Sequence, residues 1–204
     1  MKKFTSKILL PLVLASMFVL VTISSKIALA QTSPTSPVAP PQVTTAKAQI
    51  SGFGITGTLN LKEDRNRYVT IDATLTGDPT TLTPGLHGFH FHETGSCQES
   101  GQTPFSSAKG HFDPGPFGSS TPVEANHPYH LGDLPNIEVD KSGKGKLKTI
   151  TTRITLSQTP VSLLDSDGSA IIVHKLTDQV KAGGTAADAG GGRLACGVIE
   201  AVKS

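Results

Sequence analysis

The sequence predicts an all-β fold, arranged as an antiparallel sandwich or barrel. Several segments alternate apolar and polar residues with a period of two, which is typical of strands with one buried face. Pieces rich in Gly, Pro, Asp and Ser separate these segments, as turns do. No segment has a sustained helical period. With 204 residues, 21 Gly and 14 Pro, the chain is long enough for one loop-rich domain.

The predicted strands follow one another along the chain. Segments 55–61, 69–75 and 150–156 place an apolar or small residue at every second position, which indicates half-buried strands. In the third of these segments, the residues expected on one face are Ile150, Thr152, Ile154 and Leu156. The apolar runs 170–174 and 193–202 predict closing strands.

Two long stretches do not fit the strand pattern, residues 93–135 and residues 175–192. Loops of this length within a compact domain are usually functional or disordered. All seven histidines lie in or beside these two stretches. The sequence therefore predicts a functional site built from loops on a β scaffold.

Residues 1–30 predict a secretory signal peptide. Lysines precede an apolar run from Ile8 to about Ile23, and Ala28 and Ala30 form an A-x-A cleavage site. An uncleaved membrane anchor is the alternative, because the run approaches the length that spans a bilayer. Residues 31–46, rich in Pro, Ser and Thr, predict a disordered tether, and the domain is expected at 47–204.

Export with removal of the signal peptide would change the net charge of the chain and favour a disulfide between its cysteines. Removing residues 1–30 takes four of the 18 Lys and Arg residues, so 14 basic residues face 16 acidic ones and the formal charge becomes −2. This balance gives no indication of a nucleic-acid partner. Two cysteines in an oxidising compartment usually form a disulfide, so Cys97 and Cys196 are expected to pair.

The segment "GLHGFHFHETGSC" holds three of the histidines. His90 and His92 are two apart and are expected on one face of a strand, with His87 on the other if the strand is continuous. An H-x-H pair alone is weak support for a metal site, because two exposed strand histidines fit it as well. His87 is expected to hydrogen-bond backbone and hold its turn. An all-imidazole set suits copper, whereas mixed His and Asp ligation suits zinc.

Residues 47–204 resemble the copper/zinc superoxide dismutase family. The segments that carry the resemblance are "GLHGFHFHETGSC", "GHFDP", "HLGDLPN", "IIVHKLTD" and "GGGRLACGVI". The resemblance implies an antiparallel Greek-key sandwich or barrel of about eight strands with two long functional loops. It implies copper ligands at His90, His92, His111 and His174, and it implies that His111 also binds zinc.

The resemblance further implies zinc ligands at His130 and Asp133, and Asp178 as an aspartate that joins imidazoles of the two metal sets. Arg193 is implied as the arginine that guides the anionic substrate, and Cys97 and Cys196 as the disulfide. The family's remaining zinc histidine has no counterpart in "FGSSTPVE". His127, three residues before His130, is the one candidate, and the alternative is a solvated His127 beside a weaker zinc site.

The implied reaction is the dismutation of superoxide to oxygen and hydrogen peroxide, with copper cycling between oxidation states and zinc structural. His111 and Arg193 are the residues expected to take part directly. The implied location is the periplasm or the exterior, as a monomer or homodimer, with membrane contact only if the N-terminal segment stays uncleaved. The alternatives are an exported copper-binding or metal-delivery protein on the same fold, and an adhesion-type sandwich with incidental histidines.

Overall fold

The described part of the chain contains ten antiparallel strands and one short 3₁₀ helix, joined by turns and loops. The structure, a computed structural model, describes residues 44–98, 103–114, 130–181 and 186–203. The strands are β1 (Thr44–Gly52), β2 (Ile55–Glu63), β3 (Val69–Thr76), β4 (Gly85–His87), β5 (Phe89–His92), β6 (Ile137–Val139), β7 (Lys144–Thr151), β8 (Ala170–His174), β9 (Arg193–Val198) and β10 (Glu200–Ala201). The 3₁₀ helix, η1, spans Ser106–Ala108.

The strand order closes the sheet on itself. Hydrogen-bonded neighbours follow the order β4-β6-β7-β3-β2-β1-β9-β8-β5, with β10 paired to β1. β4 and β5 stand at opposite ends of this path, yet only Gly88 separates them in sequence. The two ends must therefore meet, which makes a nearly closed barrel and confirms the predicted all-β Greek-key class.

Two of the strand boundaries are single-residue interruptions. Gly88 separates β4 from β5, and Ile199 separates β9 from β10. Counted across these breaks, the ten strands become the eight that the resemblance implied. The two long loops also lie where they were expected, between β5 and β6 and between β8 and β9.

Alternating side chains build the barrel core. In β2 and β3 the buried residues recur at every second position, and Leu59 pairs with Ala73 across the two strands. In β5, Phe89 and Phe91 are fully buried in the main apolar cluster. Because side chains alternate along a strand, His90 and His92 are turned to the opposite face of β5, where they are buried as well.

The prediction for segment 150–156 is wrong. β7 ends at Thr151, and Ile150 is 64% exposed. The inward face of β7 is instead the one that carries Gly145 and Leu147, while Ile154 and Leu156 are buried in an irregular segment after the strand. The alternation over residues 150–156 thus runs from the exposed face of β7 into a buried irregular segment, and the apolar pattern does not change where the strand ends.

The first strand was not predicted, and the expected tether overlaps it. β1 begins at Thr44, three residues before Lys47. Its buried face consists of Ala46, Ala48 and Ile50, and the two alanines give a weak alternation signal because their side chains are small. The predicted signal peptide lies outside the described residues, as does the tether up to residue 43. Within the part of the chain that the structure describes, no helix has the length and apolarity needed to cross a membrane.

Candidate metal centre

Three elements bring four histidines together. β5 carries His90 and His92, and β8, which pairs with it, ends at His174. His111 comes from the loop after β5 and forms an isolated antiparallel bridge with His92. The register of β5 against β8 and against the loop therefore places all four imidazoles on one side of the barrel wall.

The four imidazoles form one compact group. One ligand-type nitrogen from each ring lies within 4.8 Å of the others. His92 Nε2 is 3.3 Å from His174 Nε2, and the ring centroids of His90 and His111 are 4.1 Å apart. Imidazoles this close, without carboxylates inside the group, make the donor set that suits copper.

Hydrogen bonds orient two of these rings through their Nδ1 atoms. His92 Nδ1 donates to the Lys109 carbonyl oxygen at 2.9 Å, and His174 Nδ1 donates to that of Gly191 at 3.1 Å. The opposite nitrogen, Nε2, is then the unprotonated one in each neutral ring. Both rings therefore present a lone pair to the centre of the group.

His90 is oriented the other way round. Its Nε2 lies 2.8 Å from Asp178 Oδ2, although the two groups are not aligned as a hydrogen bond. Its Nδ1 is buried and has no hydrogen-bonding partner among the described residues. An orphaned buried nitrogen is costly unless something binds it. It belongs to the four-imidazole group, so this observation fits a metal ion bound there.

A second group shares His111 with the first. It consists of His111, His130 and Asp133, again with one donor atom from each within 4.8 Å of the others. His111 Nδ1 is 2.7 Å from Asp133 Oδ1, and His130 Nδ1 is 3.4 Å from Asp133 Oδ2. This mixed set suits zinc. The predicted fourth ligand, His127, lies outside the described residues.

A tight turn carries His130 and Asp133. The Asp133 N–H donates to the His130 carbonyl oxygen at 3.1 Å, and the His130 N–H donates to Asp133 Oδ2 at 2.8 Å. A side chain at Gly132 would place its Cβ 2.6 Å from the Phe91 carbonyl oxygen. The "HLGD" sequence therefore needs glycine because the turn packs directly on β5.

Burial favours the neutral form of three imidazoles of the first group, those of His92, His111 and His174. It lowers the pKa of His174 to about 3 and lowers that of His92 well below its usual value, with further contributions from neighbouring imidazoles and, for both rings, from Arg193. The pKa of His111 is also lowered by burial, although its bond to Asp133 opposes this. These rings are neutral near pH 7, which is the form that binds metal.

The second group holds a permanent negative charge. Burial of Asp133 favours its neutral form, but hydrogen bonds from His111 and His130 outweigh burial and keep the pKa of Asp133 far below its usual value. The same contact raises the pKa of His130. A buried carboxylate that stays ionised beside two imidazoles is a favourable site for a dication.

Asp178 connects the loop between β8 and β9 to the four-imidazole group through its contact with His90. Asn136 fixes this position, because its side-chain amide donates to the Asp178 carbonyl oxygen and accepts from the Asp178 N–H, each at 2.9 Å. Asn136 was not singled out from the sequence. The expected contact of Asp178 with a zinc-side imidazole is not seen among the described residues.

Arg193, the first residue of β9, is held by two carbonyl groups. Its Nη1 donates to Phe105 O at 2.6 Å, and its Nη2 donates to Lys109 O. Phe105 and Lys109 flank η1 and have φ angles of 55° and 61°. Non-glycine residues rarely adopt such angles, so the two carbonyls are aimed at the guanidinium by an unusual local backbone.

The predicted disulfide between Cys97 and Cys196 is confirmed, with 5.7 Å between the Cα atoms. Cys196 lies in β9 and Cys97 in the loop that leads to η1, so the bridge ties the loop to the strand that carries Arg193. His87 also behaves as expected: its Nδ1 lies 2.8 Å from His174 O and its Nε2 2.7 Å from Thr83 O.

The fold and the site define a β-barrel protein with two adjacent groups of residues that could each hold a metal ion, and one histidine belongs to both groups. Residues 55–199 match the family model described as copper/zinc superoxide dismutase (SODC). The chain belongs to this enzyme family, whose cofactors are copper and zinc, and the two donor sets fit those ions.

Curated relatives agree with this assignment, and solved structures share the fold. The chain is 38% identical over 128 residues to the Cu-Zn superoxide dismutase of Deinococcus radiodurans, covering 60% of this chain and 67% of that protein. It is 35% identical over 137 residues to that of Legionella pneumophila, covering 62% and 69%. A SOD-like protein from Bacillus subtilis has a TM-score of 0.59 at 31% identity, covering 74% of this chain and 96% of that one. The clock protein EA4 also has a TM-score of 0.59, at 28% identity, covering 78% and 95%.

Proposed function

We propose that the protein is an exported superoxide dismutase, which converts two superoxide anions and two protons to oxygen and hydrogen peroxide. The observation that carries this proposal is the sharing of His111 between an all-imidazole group and a His–Asp group. The proposed copper ligands are His90, His92, His111 and His174. The proposed zinc ligands are His111, His130, Asp133 and His127.

The donor chemistry supports a division of labour between the two sites. Bound copper supplies one-electron transfer in both directions, which oxidises one superoxide and reduces the next, and bound zinc supplies fixed positive charge. His111 has Nδ1 turned to Asp133, so its Nε2 is the atom that faces the other three imidazoles. His111 would therefore belong to both ion sites, and its Nε2, when it is not bound to copper, is suited to take up a proton and deliver it to the reduced product.

Arg193 is suited to attract and dock the substrate. Its guanidinium carries a permanent positive charge and is preoriented by the carbonyl oxygens of Phe105 and Lys109. It lowers the pKa of both His92 and His174, so its field reaches the four-imidazole group. A small anion entering this region gains electrostatic stabilisation from Arg193 before electron transfer. Asp178 would keep His90 in one orientation throughout the cycle.

Export is the second part of the proposal. The Cys97–Cys196 disulfide is typical of an oxidising compartment, which supports a signal peptide at residues 1–30 and a tether before a catalytic domain that starts at β1. In this arrangement the enzyme removes superoxide in the periplasm or outside the cell.

The test uses the full chain expressed with its own N-terminal segment, followed by purification of the mature protein and loading with copper and zinc. Superoxide decay is followed by stopped flow, and bound metals are counted. We expect fast decay for the parent, and loss of copper and activity with zinc retained for His174→Ala. Asn60→Ala, on the exposed side of β2, is the matched control and should behave as the parent. A parent that binds both metals without accelerating decay would contradict the proposal and favour a copper-binding or metal-delivery role.

A further inference from the structure

Arg153, in the segment after β7, directs its guanidinium at the turn that carries two of the proposed zinc ligands. Its Nη1 donates to the Asp133 carbonyl oxygen at 3.4 Å, and its Nη2 donates to the His130 carbonyl oxygen. We infer that Arg153 is a positioning residue that fixes this turn for zinc binding. The inference rests on the proposed function, because it takes His130 and Asp133 as zinc ligands.

The two contacts fall on the backbone at the two ends of one turn. The His130 carbonyl oxygen already accepts the Asp133 N–H at 3.1 Å, so Arg153 adds a second donor to an atom that closes the turn. A guanidinium is a rigid planar fork whose donors keep a fixed separation. By binding both carbonyl groups, Arg153 sets the distance between the two ligand-bearing residues and not only the position of one.

The backbone of Arg153 is anchored on the barrel side, at the end of β7. The backbone N–H of Arg153 donates to Thr151 Oγ1 at 3.2 Å, at the end of β7. The next residue, Ile154, is fully buried in the core. A positioning group is effective when its own support is rigid and independent of the group it positions.

A buried carboxylate completes this support. Glu63, at the end of β2, is only 2% exposed and accepts the Leu156 N–H at 2.7 Å. It also accepts the N–H of Ser157 at 2.6 Å and the Ser157 hydroxyl at 2.7 Å. The segment that follows Arg153 is therefore fastened to β2, so the arginine is presented from a fixed platform.

The zinc-side group needs such restraint because packing constrains its members unequally. The side chain of His130 is 39% exposed, whereas those of His111 and Asp133 are 12% and 7% exposed. The ring of His130 is more exposed, so packing restricts it less. The position of its backbone therefore matters more for placing the ring where it can bind zinc. Arg153 acts on that backbone directly.

A purely structural role is the competing explanation, since a charge-assisted hydrogen bond to a carbonyl also stabilises a fold. The two roles predict different measurements. A structural arginine changes the stability of the metal-free protein and leaves zinc affinity alone. A positioning arginine changes zinc affinity and the geometry of the metal site.

The experiment compares the parent with Arg153→Met, which removes both donors, and Arg153→Lys, which keeps the charge but loses the fork. Arg65→Met, an exposed arginine in the β2–β3 turn, is the matched control. Zinc affinity of the mature, copper-loaded protein is measured by chelator competition. Cobalt(II) is then placed in the zinc site, and its visible spectrum reports the coordination geometry.

We expect roughly 10- to 100-fold weaker zinc binding in Arg153→Met, the range usual for residues that orient metal ligands, with an altered cobalt spectrum. Arg153→Lys should fall between the parent and the Met variant, and Arg65→Met should match the parent. Unchanged affinity and spectrum in Arg153→Met would overturn the inference, even if its metal-free form is less stable. If Arg153→Met does not fold, unchanged affinity in Arg153→Lys overturns it instead.

The superoxide assay separates this inference from the proposed function. A parent that binds zinc but does not accelerate superoxide decay contradicts the function and leaves the zinc comparison valid. A parent that binds no zinc at this turn overturns the inference.

Discussion

The Arg193 guanidinium and the Phe105 carbonyl group are joined by a 2.6 Å hydrogen bond between residues 88 positions apart. The bond links the start of β9 to η1, and the Lys109 carbonyl oxygen accepts a second bond at the other end of the same helix. Burial also lowers the pKa of Arg193 from its usual value, which still leaves the group charged at neutral pH. Arg193 is thus a fixed charge in a defined orientation.

Replacing Arg193 should slow the reaction with superoxide and reduce its dependence on salt. We expect kcat/KM for Arg193→Met to fall by about 10-fold or more, because a local positive charge raises anion encounter rates by ~10 to 10³. The measurement is superoxide decay at two ionic strengths with copper content matched. Lys62→Met, which removes an exposed charge from β2, should leave the rate nearly unchanged. An equal loss in both variants would show that only net charge matters.

Removing the disulfide should destabilise the protein and weaken the hold on Arg193. The bridge closes a sequence separation of 99 residues. A loop of this length corresponds to about 4 to 5 kcal/mol in the chain-entropy account. We expect a lower urea midpoint for the variant with both Cys97→Ser and Cys196→Ser, and lower activity per bound copper. An unchanged midpoint would mean that the loop is already held by packing against β8 and β9.

The metal-free protein should lose stability as the pH falls below neutrality. The pKa of His174 is about 3 when folded and 6.5 as a free group, so the unfolded chain takes up this proton first and folding weakens between those values. The lowered pKa of His92 acts in the same direction, whereas the raised pKa of half-buried His130 opposes it. Urea midpoints from pH 7 to pH 4 test this. His174→Asn should flatten the curve, and a flat parent curve would contradict the expectation.

Gly190 should be needed for the copper site because of space and not because of its backbone angle alone. A Cβ at this position would lie 2.7 Å from the Cβ of His174. Gly54 is the matched control, because its φ of +75° is similar to the +93° of Gly190 but nothing lies within 4 Å of its Cβ position. We expect Gly190→Ala to lower copper occupancy and Gly54→Ala to keep it. Equal occupancy in the two variants would remove the steric explanation.

Local patterns in the sequence predicted the fold class, and the resemblance of short motifs to a known family predicted which histidines lie together. Alternation identified β2 and β3, and the apolar run before His174 identified β8. The same reasoning failed at Ile150, where the side chain that looked buried points to solvent. Local alternation does not reveal where a strand stops, and here an irregular segment held by Glu63 continues the apolar pattern beyond β7.

The supporting residues of the site were much harder to predict. Asn136 and Arg153 act on the backbone of residues 42 and 20 positions away, and nothing in their local sequence indicates the partner. Phe105 and Lys109 contribute through carbonyl groups, for which side-chain identity carries no signal. Such contacts depend on how loops pack against one another, and this information appears only with the fold.

The wall of the barrel formed by β1, β2, β3 and β7 supplies none of the proposed metal ligands, all of which come from β5, β8 and the loop that follows β5. Both cysteines of the sequence are bonded to each other. A cysteine introduced at exposed Asn60 would therefore be the one reactive thiol, placed in the middle of β2. Through it the protein could be tethered to an electrode or a surface in one orientation, with the metal centre carried by a different part of the barrel.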